Sequence, residues 1–164
     1  MSMTDYRLAP PCAADAATLA GSVREDEARE LRLLYGLEVA EALSLSLREA
    51  GRFGGLFYAL HGHGGVLGFG GARPFDVLGT AACPWFIGVD MTPHKRFLAR
   101  YSRRITAHLL RRFPVLVNVV GDWNAQTLAW LPHAGFSVSD TPQAIYPGGP
   151  QVYRFWAARE PLKE

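Results

Sequence analysis

The chain has 164 residues, 49% of them apolar, and a formal net charge of +2, which is the size of one domain with apolar content for a sizeable core. No run approaches the roughly 18–20 apolar residues of a bilayer span, and Met1–Ala9 mixes charged and apolar residues instead of building a secretory signal. A charge this small gives no case for nucleic-acid binding by itself, and two cysteines, Cys12 and Cys83, without a CxxC, rule out a disulfide framework.

Asp5–Ala9 reads as a first strand, ended by Pro10 and Pro11. Helical stretches are predicted over Ala13–Val23, over Glu25–Tyr35 with Gly36 as its C-terminal glycine, and over Glu38–Ala50, where Val39, Leu43 and Leu47 recur at four-residue spacing. The period then changes to two. Leu56–Leu60 and Val66–Ala72 read as a hairpin turned at His61-Gly62-His63-Gly64-Gly65. Pro84–Asp90 is apolar on both faces and is expected to be a central strand. Thr92-Pro93 opens a long helix with an apolar stripe of Phe97, Tyr101, Ile105 and Leu109, closed by Pro114. Val115–Val120 is another apolar strand, Trp123–Leu131 a helix, and Gly135–Val138 and Gln151–Ala157 complete the sheet. The expected fold is α/β, one mixed sheet covered by helices on both faces, in a single domain spanning 1–164. Its charge is divided. Residues 94–112 carry Lys95, Arg96, Arg100, Arg103, Arg104, Arg111 and Arg112 and no acid, whereas residues 24–50 lean acidic.

Asn124 follows a buried strand, which places its amide at the carboxyl edge of the sheet, where open α/β sheets bind ligands. As a plain helix cap it would need no ligand. Gly135 allows a positive-φ turn, and Phe136 returns the chain to the core. The run Asn124-Ala-Gln-Thr-Leu-Ala-Trp-Leu-Pro-His-Ala-Gly135-Phe136 resembles the C-terminal signature of the GCN5-related N-acetyltransferases. That resemblance implies a mostly antiparallel sheet with two parallel strands, ending at Asp90 and Val120, that lie side by side and splay. It further implies acetyl-CoA as cofactor, with its pyrophosphate at the helix start after Asp90. Val89, Met91, His94, Lys95, Arg96 and Asn124 are the cofactor-binding candidates on this reading.

The sequence departs from that pattern twice. Met91-Thr-Pro-His-Lys-Arg96 contains no glycine, so side chains obstruct close approach of a phosphate to the backbone, although the helix dipole, Lys95, Arg96 and Arg100 remain. Leu131 stands where many members carry a proton-donating tyrosine, and Tyr101 and Tyr146 are the conceivable substitutes. The acidic segment Arg24–Glu30 falls where the superfamily binds its acceptor. Asp26, Glu27 or Glu30 could attract an amine or act as base, or could form intrahelical ion pairs on a wet face. His61 and His63 lack a third ligand and read as hairpin residues, with no metal site.

Arg24-x-Asp26-x-x-x-Glu30, Trp85-Phe-Ile-Gly-Val-Asp90, Phe97-Leu-Ala-Arg-Tyr-Ser-Arg103, and Pro114-Val-Leu-Val-Asn118 with Asp122-x-Asn124 together resemble phage and prophage acetyltransferase-like proteins related to internal virion protein A of short-tailed phages. Two functions follow from that resemblance: acyl transfer from acyl-CoA to an amine, or a non-catalytic virion or assembly protein reusing the fold. In the second case, partners would be phage or host proteins, contacted through the aromatic strand Tyr153–Trp156, or nucleic acid contacted through the basic helix 94–112. The resemblance implies a location in the cytoplasm of a bacterial host or in the virion.

Overall fold

The computed structural model describes residues 6–159. The first strand, β1, is Arg7–Ala9, and Asp5 of the expected strand lies outside the described residues. Three helices follow: α1 (Ala13–Ala20), α2 (Glu25–Glu30) and α3 (Val39–Glu49). Beyond Glu30 the second helix widens into a π turn, Leu31–Tyr35, and stops at Gly36, whose φ of 65° is the left-handed cap the sequence predicts. The helix α3 opens with a reciprocal capping box between Glu38 and Glu41.

The strands β2 (Leu56–Gly62), β3 (Gly65–Pro74) and β4 (Ala81–Gly88) form an antiparallel meander. Then come α4 (Lys95–Arg112), entered through one 3₁₀ turn over Thr92–His94, β5 (Val115–Gly121), α5 (Ala125–Trp130), and the strands β6 (Ser137–Val138), β7 (Gln143–Ala144) and β8 (Gln151–Ala158). Strand order is β1-β2-β3-β4-β5-β8-β6, with β7 also on β8. The last strand therefore does not close the sheet at its edge. It is covered by the two short strands that precede it.

Alternation of side chains sorts the core into two faces. Ala59, Phe69 and Ile87 pack under Leu19, Leu31 and Leu43 of the first three helices. On the other face Ala72, Ala82 and Leu116 meet Leu109 and Phe113 of α4 and its C-terminal end, while Leu60, Leu67 and Met91 meet Phe97. The helix α5 seals the far end with Leu131 among Val120 and Phe155. The glycines of β3 let a neighbouring side chain approach the sheet closely. A Cβ on Gly68 or Gly70 would overlap the ring of Phe86, so their bare surface is what lets that ring lie against the sheet.

Two expectations shift. His61 sits within β2, not at the hairpin tip, because β2 runs on to Gly62, and its Nε2 is 3.2 Å from the Asp15 carboxylate. Of the aromatic strand, Phe155 is core and Trp156 is the exposed member. Among the described residues no helix is long and apolar enough to cross a membrane.

Candidate functional site

The site begins at a proline. β4 and β5 run parallel and are paired only at Ala81–Val115 and Ala82–Leu116. In the β3–β4 ladder Val89 donates its N–H to Leu67 O, so odd residues of β4 bond to β3 and even residues face β5. Pro84 is the next even residue after Ala82 and has no N–H to offer. The ladder stops there, and the strands diverge. Asn118 makes one last rung, donating from Nδ2 to Pro84 O at 2.8 Å while its Oδ1 accepts the N–H of Val119 at 2.8 Å. Beyond it lies a wedge-shaped slot into which the backbone N–H and C=O of Phe86 are directed. The Phe86 side chain, 37% exposed, lies on the α4 face of the sheet over Gly68, Gly70 and Gly88, on the β3 side of its strand. The segments ending at Asp90 and Val120 thus lie side by side and splay, as expected.

The opposite wall is α2. Arg24, Glu27 and Glu30 recur every three residues and so share one helical face, and that face points into the gap. The Glu27 carboxylate accepts the Gly88 N–H at 2.7 Å at the tip of β4. The Glu30 carboxylate accepts the Gly121 N–H at 2.8 Å at the tip of β5, and Asn124 Nδ2 at 3.1 Å. Arg24 ties the two tips together. Its backbone N–H donates to Gly88 O at 3.1 Å, and its guanidinium reaches Asn124 Oδ1 at 2.8 Å, Thr127 Oγ1 at 3.3 Å and Glu27 at 3.4 Å. Asp26 contributes its carbonyl, which accepts Trp123 Nε1 at 3.3 Å, and Arg29 lies 4.5 Å above the Trp123 ring.

Burial dominates the acid–base chemistry here. Desolvation pushes the Glu27 carboxyl up to about 7, opposed by the Gly88 N–H and then by Arg24. Glu30 is raised for the same first reason, offset by the Gly121 N–H and the Asn124 amide. Glu27 thus titrates where a general base for neutral-pH chemistry needs to. At the foot of the slot burial pushes Cys83 up to about 11, so it stays a thiol.

Of the six cofactor-binding candidates, Val89 and Met91 pack in one cluster and the other four make separate contacts. Asn124, 1% exposed, caps α5 by accepting the Thr127 N–H at 3.3 Å, and both ends of its amide are spent on Arg24 and Glu30. Met91 is buried against Leu60, Leu67 and Phe97, with half-buried Val89 packed beside them. His94 Nδ1 is 2.9 Å from Tyr6 Oη. Lys95 and Arg96 are exposed. Leu131 is 2% exposed and supplies no proton, Tyr101 belongs to the α4 stripe, stacked on Phe97 at 5.0 Å, and Tyr146 lies on an exposed turn. Sequence reasoning placed Arg24 only as the first residue of the acidic segment and missed Pro84, Phe86, Asn118 and Gln126 as parts of this site. The missing N–H of Pro84 was the signal in the sequence, and the register against β3 decides which side of the strand it faces. Among the described residues no group of three or more His, Cys, Asp or Glu side chains is placed to hold a metal ion. A shallow basin of about 880 Å³ lies away from the slot, beside Arg103, Thr106 and Arg111 of α4. The Arg159 guanidinium on its rim is spent on the carbonyls of Leu110 and Arg111.

The chain matches no family model and no curated protein by sequence. By structure it resembles N-acetyltransferases over nearly its whole length. Spermidine N-acetyltransferase of Vibrio cholerae, in complex with CoA and spermine, aligns with a TM-score of 0.68 at 10% identity, over 94% of this chain and 96% of that one. Ribosomal-protein-alanine N-acetyltransferase of Brucella melitensis gives 0.67 at 17% identity, over 93% and 99%. A provisional acetyltransferase of Salmonella typhimurium with its cofactor acetyl-CoA gives 0.62 at 15% identity, over 97% of each chain. The fold is therefore that of the GCN5-related N-acetyltransferases, with a mostly antiparallel sheet and one splayed parallel pair.

The residues here fit the two ends of acetyl-CoA unequally. The unpaired edges of β4 and β5 beyond Pro84 offer peptide groups that suit the amides of a thioester arm. The diphosphate end does not fit the start of α4, because the Asp90 carboxylate already accepts the Thr92 N–H there, at 2.9 Å.

Proposed function

We propose that this chain is an acetyltransferase-like protein of phage or prophage origin that moves an acyl group from an acyl-CoA-type thioester to an amine, in the host cytoplasm or the virion. The observation that carries this reading is Glu27: a carboxylate at the tip of β4, its side chain 11% exposed, with a proton affinity near neutrality, facing the slot from the acceptor side.

A bound thioester supplies an electrophilic carbonyl and a thiolate leaving group. The Phe86 N–H, directed into the slot, is placed to donate to the oxyanion that develops as the amine nitrogen adds to that carbonyl. Glu27 takes the proton the nitrogen loses as the C–N bond forms. Asp26 and Glu30 keep the acceptor side acidic, which draws in an ammonium-bearing acceptor; that ammonium first gives one proton to solvent, and the neutral amine so formed is the nucleophile. Leu131 provides no acid, so when the C–S bond breaks the sulfur takes its proton from water. The Arg24 guanidinium, fixed by Asn124 and Thr127, keeps Glu27 from staying protonated well above neutrality.

A second reading, a non-catalytic virion or assembly protein, is favoured by one feature: Gln126 of α5 bonds to both Asp90 and Thr92 across the mouth of the slot. On that reading the exposed arginines of α4 or the Trp156 ring would contact phage proteins, host proteins or nucleic acid.

Release of free thiol from acetyl-CoA and from acetyl-pantetheine, in the presence of polyamine and lysine-peptide acceptors, separates the two. Acyl transfer predicts release that rises through about pH 7 and falls by about 10²-fold or more in Glu27→Gln. Release equal to the uncatalysed rate with every acceptor and both donors would leave the assembly reading standing.

A further inference from the structure

The 18-residue helix α4 directs its dipole at the mouth of the slot. A helix start of this kind ordinarily leaves N–H groups free for an anion. Here they are already used. The Thr92 N–H and Oγ1 both donate to Asp90 Oδ1, at 2.9 and 2.7 Å. Pro93 has no N–H. The His94 N–H goes to Met91 O at 2.9 Å, and the Lys95 N–H to Thr92 O. Gln126 Nε2, from the other side of the slot, binds Asp90 Oδ1 at 3.1 Å and Thr92 Oγ1 at 2.8 Å, and so holds the carboxylate in place. These bonds to Thr92, then to Gln126, hold the Asp90 carboxyl down at about 2, which keeps it ionised throughout the working pH range. The nearest imidazole, His94, is engaged by Tyr6.

We propose that Asp90 is a resident anion in the place a donor's diphosphate would take, so that the chain selects an acyl donor by its pantetheine arm and is indifferent to the nucleotide beyond it. The inference rests on the acyl-donor reading above and deepens it: the donor class is an acyl-pantetheine thioester, free, protein-bound or as part of CoA. Two facts of the structure agree. The unpaired edge of β4 beyond Pro84 offers a neutral partner, the Phe86 peptide group, which suits an amide-bearing arm, while the charged side chains of Arg24, Glu27 and Glu30 are already spent on each other and on the strand tips. The helix start offers a like charge and no glycine, and therefore no close backbone approach.

Titration calorimetry with pantetheine and with CoA, on the unmodified chain and on Asp90→Asn and Asp90→Gly, tests this. In the unmodified chain the two ligands should bind within about threefold of each other. Removing the charge in D90N, and also freeing the Thr92 N–H in D90G, should tighten CoA by about tenfold or more, with a gain that shrinks as salt is added. Pantetheine should change by less than about twofold in both. The proposal is overturned if CoA binds the unmodified chain about tenfold tighter than pantetheine, or if both folded variants keep the original ratio. Absence of binding by either ligand to all three proteins is a different outcome: it removes the donor reading, and this inference with it.

Discussion

Replacing Glu27 by glutamine should flatten the dependence of stability on pH. The carboxyl has an ordinary value of 4.5 and is raised to about 7 in the folded chain, chiefly by burial. Below 4.5 both folded and unfolded chains hold the proton. Between 4.5 and 7 the unfolded chain releases it while the folded chain keeps it, so the free energy of unfolding falls as pH rises. Above about 7 both forms are ionised, and the slope from this group ends. At 1.36 kcal/mol per pH unit the loss is about 3 kcal/mol across that window, or about 6–12 °C in melting temperature for a chain of this size. Glutamine keeps an oxygen for the Gly88 N–H but carries no charge, so this component of the decline vanishes. The assay is thermal or urea unfolding of both proteins at half-unit steps from pH 4.5 to 8.5. The difference between the two curves carries Glu27 together with its coupling to Glu30 and cancels the titrating groups that do not interact with it. Parallel curves, separated by a constant at every pH, would refute the claim that Glu27 is buried and reluctant to ionise.

Other substitutions probe the support of the slot. Asn124→Ala strips Arg24 and Glu30 of a buried partner and α5 of its cap, and should cost about 2–3 kcal/mol in urea unfolding. Gly71→Ala drives a methyl into the carbonyl oxygen of Leu56, an overlap the β2–β3 ladder can relieve only by shifting. A loss of about 2 kcal/mol or more is expected, and a change below about 0.5 kcal/mol would contradict so close an approach of the two strands.

Much of this architecture was legible in the sequence. Helix and strand periods, Gly36 as a left-handed stop, and the positive-φ turn at Gly135, with its φ of 94°, all follow from local chemistry. So does the placement of Asn124 at the start of α5. The site was less legible because its bonds are long-range. Glu27 meets Gly88 across 61 positions and Glu30 meets Gly121 across 91. The segment Arg24–Glu30 reads equally well as solvent-facing ion pairs, and its outer face is that, since Glu25 and Arg29 are exposed. Which third of the helix turns inward depends on where the sheet opens. Pro84 carried that information, through the side of the strand its missing N–H faces, but the register against β3 is needed to read it. Phe86 reads as ordinary core in a strand apolar on both faces. Only the bare glycines opposite show that its ring lies over them.

The central claim is that the wedge between β4 and β5 receives the thioester arm of a donor. Its most direct test is amide chemical-shift mapping during titration with acetyl-pantetheine. Saturable shifts centred on Phe86, Gly88, Val117 and Gly121, with small changes at Thr92 and Lys95, are the predicted result. No saturable shift, or shifts confined to the exposed face of α4, would contradict the account.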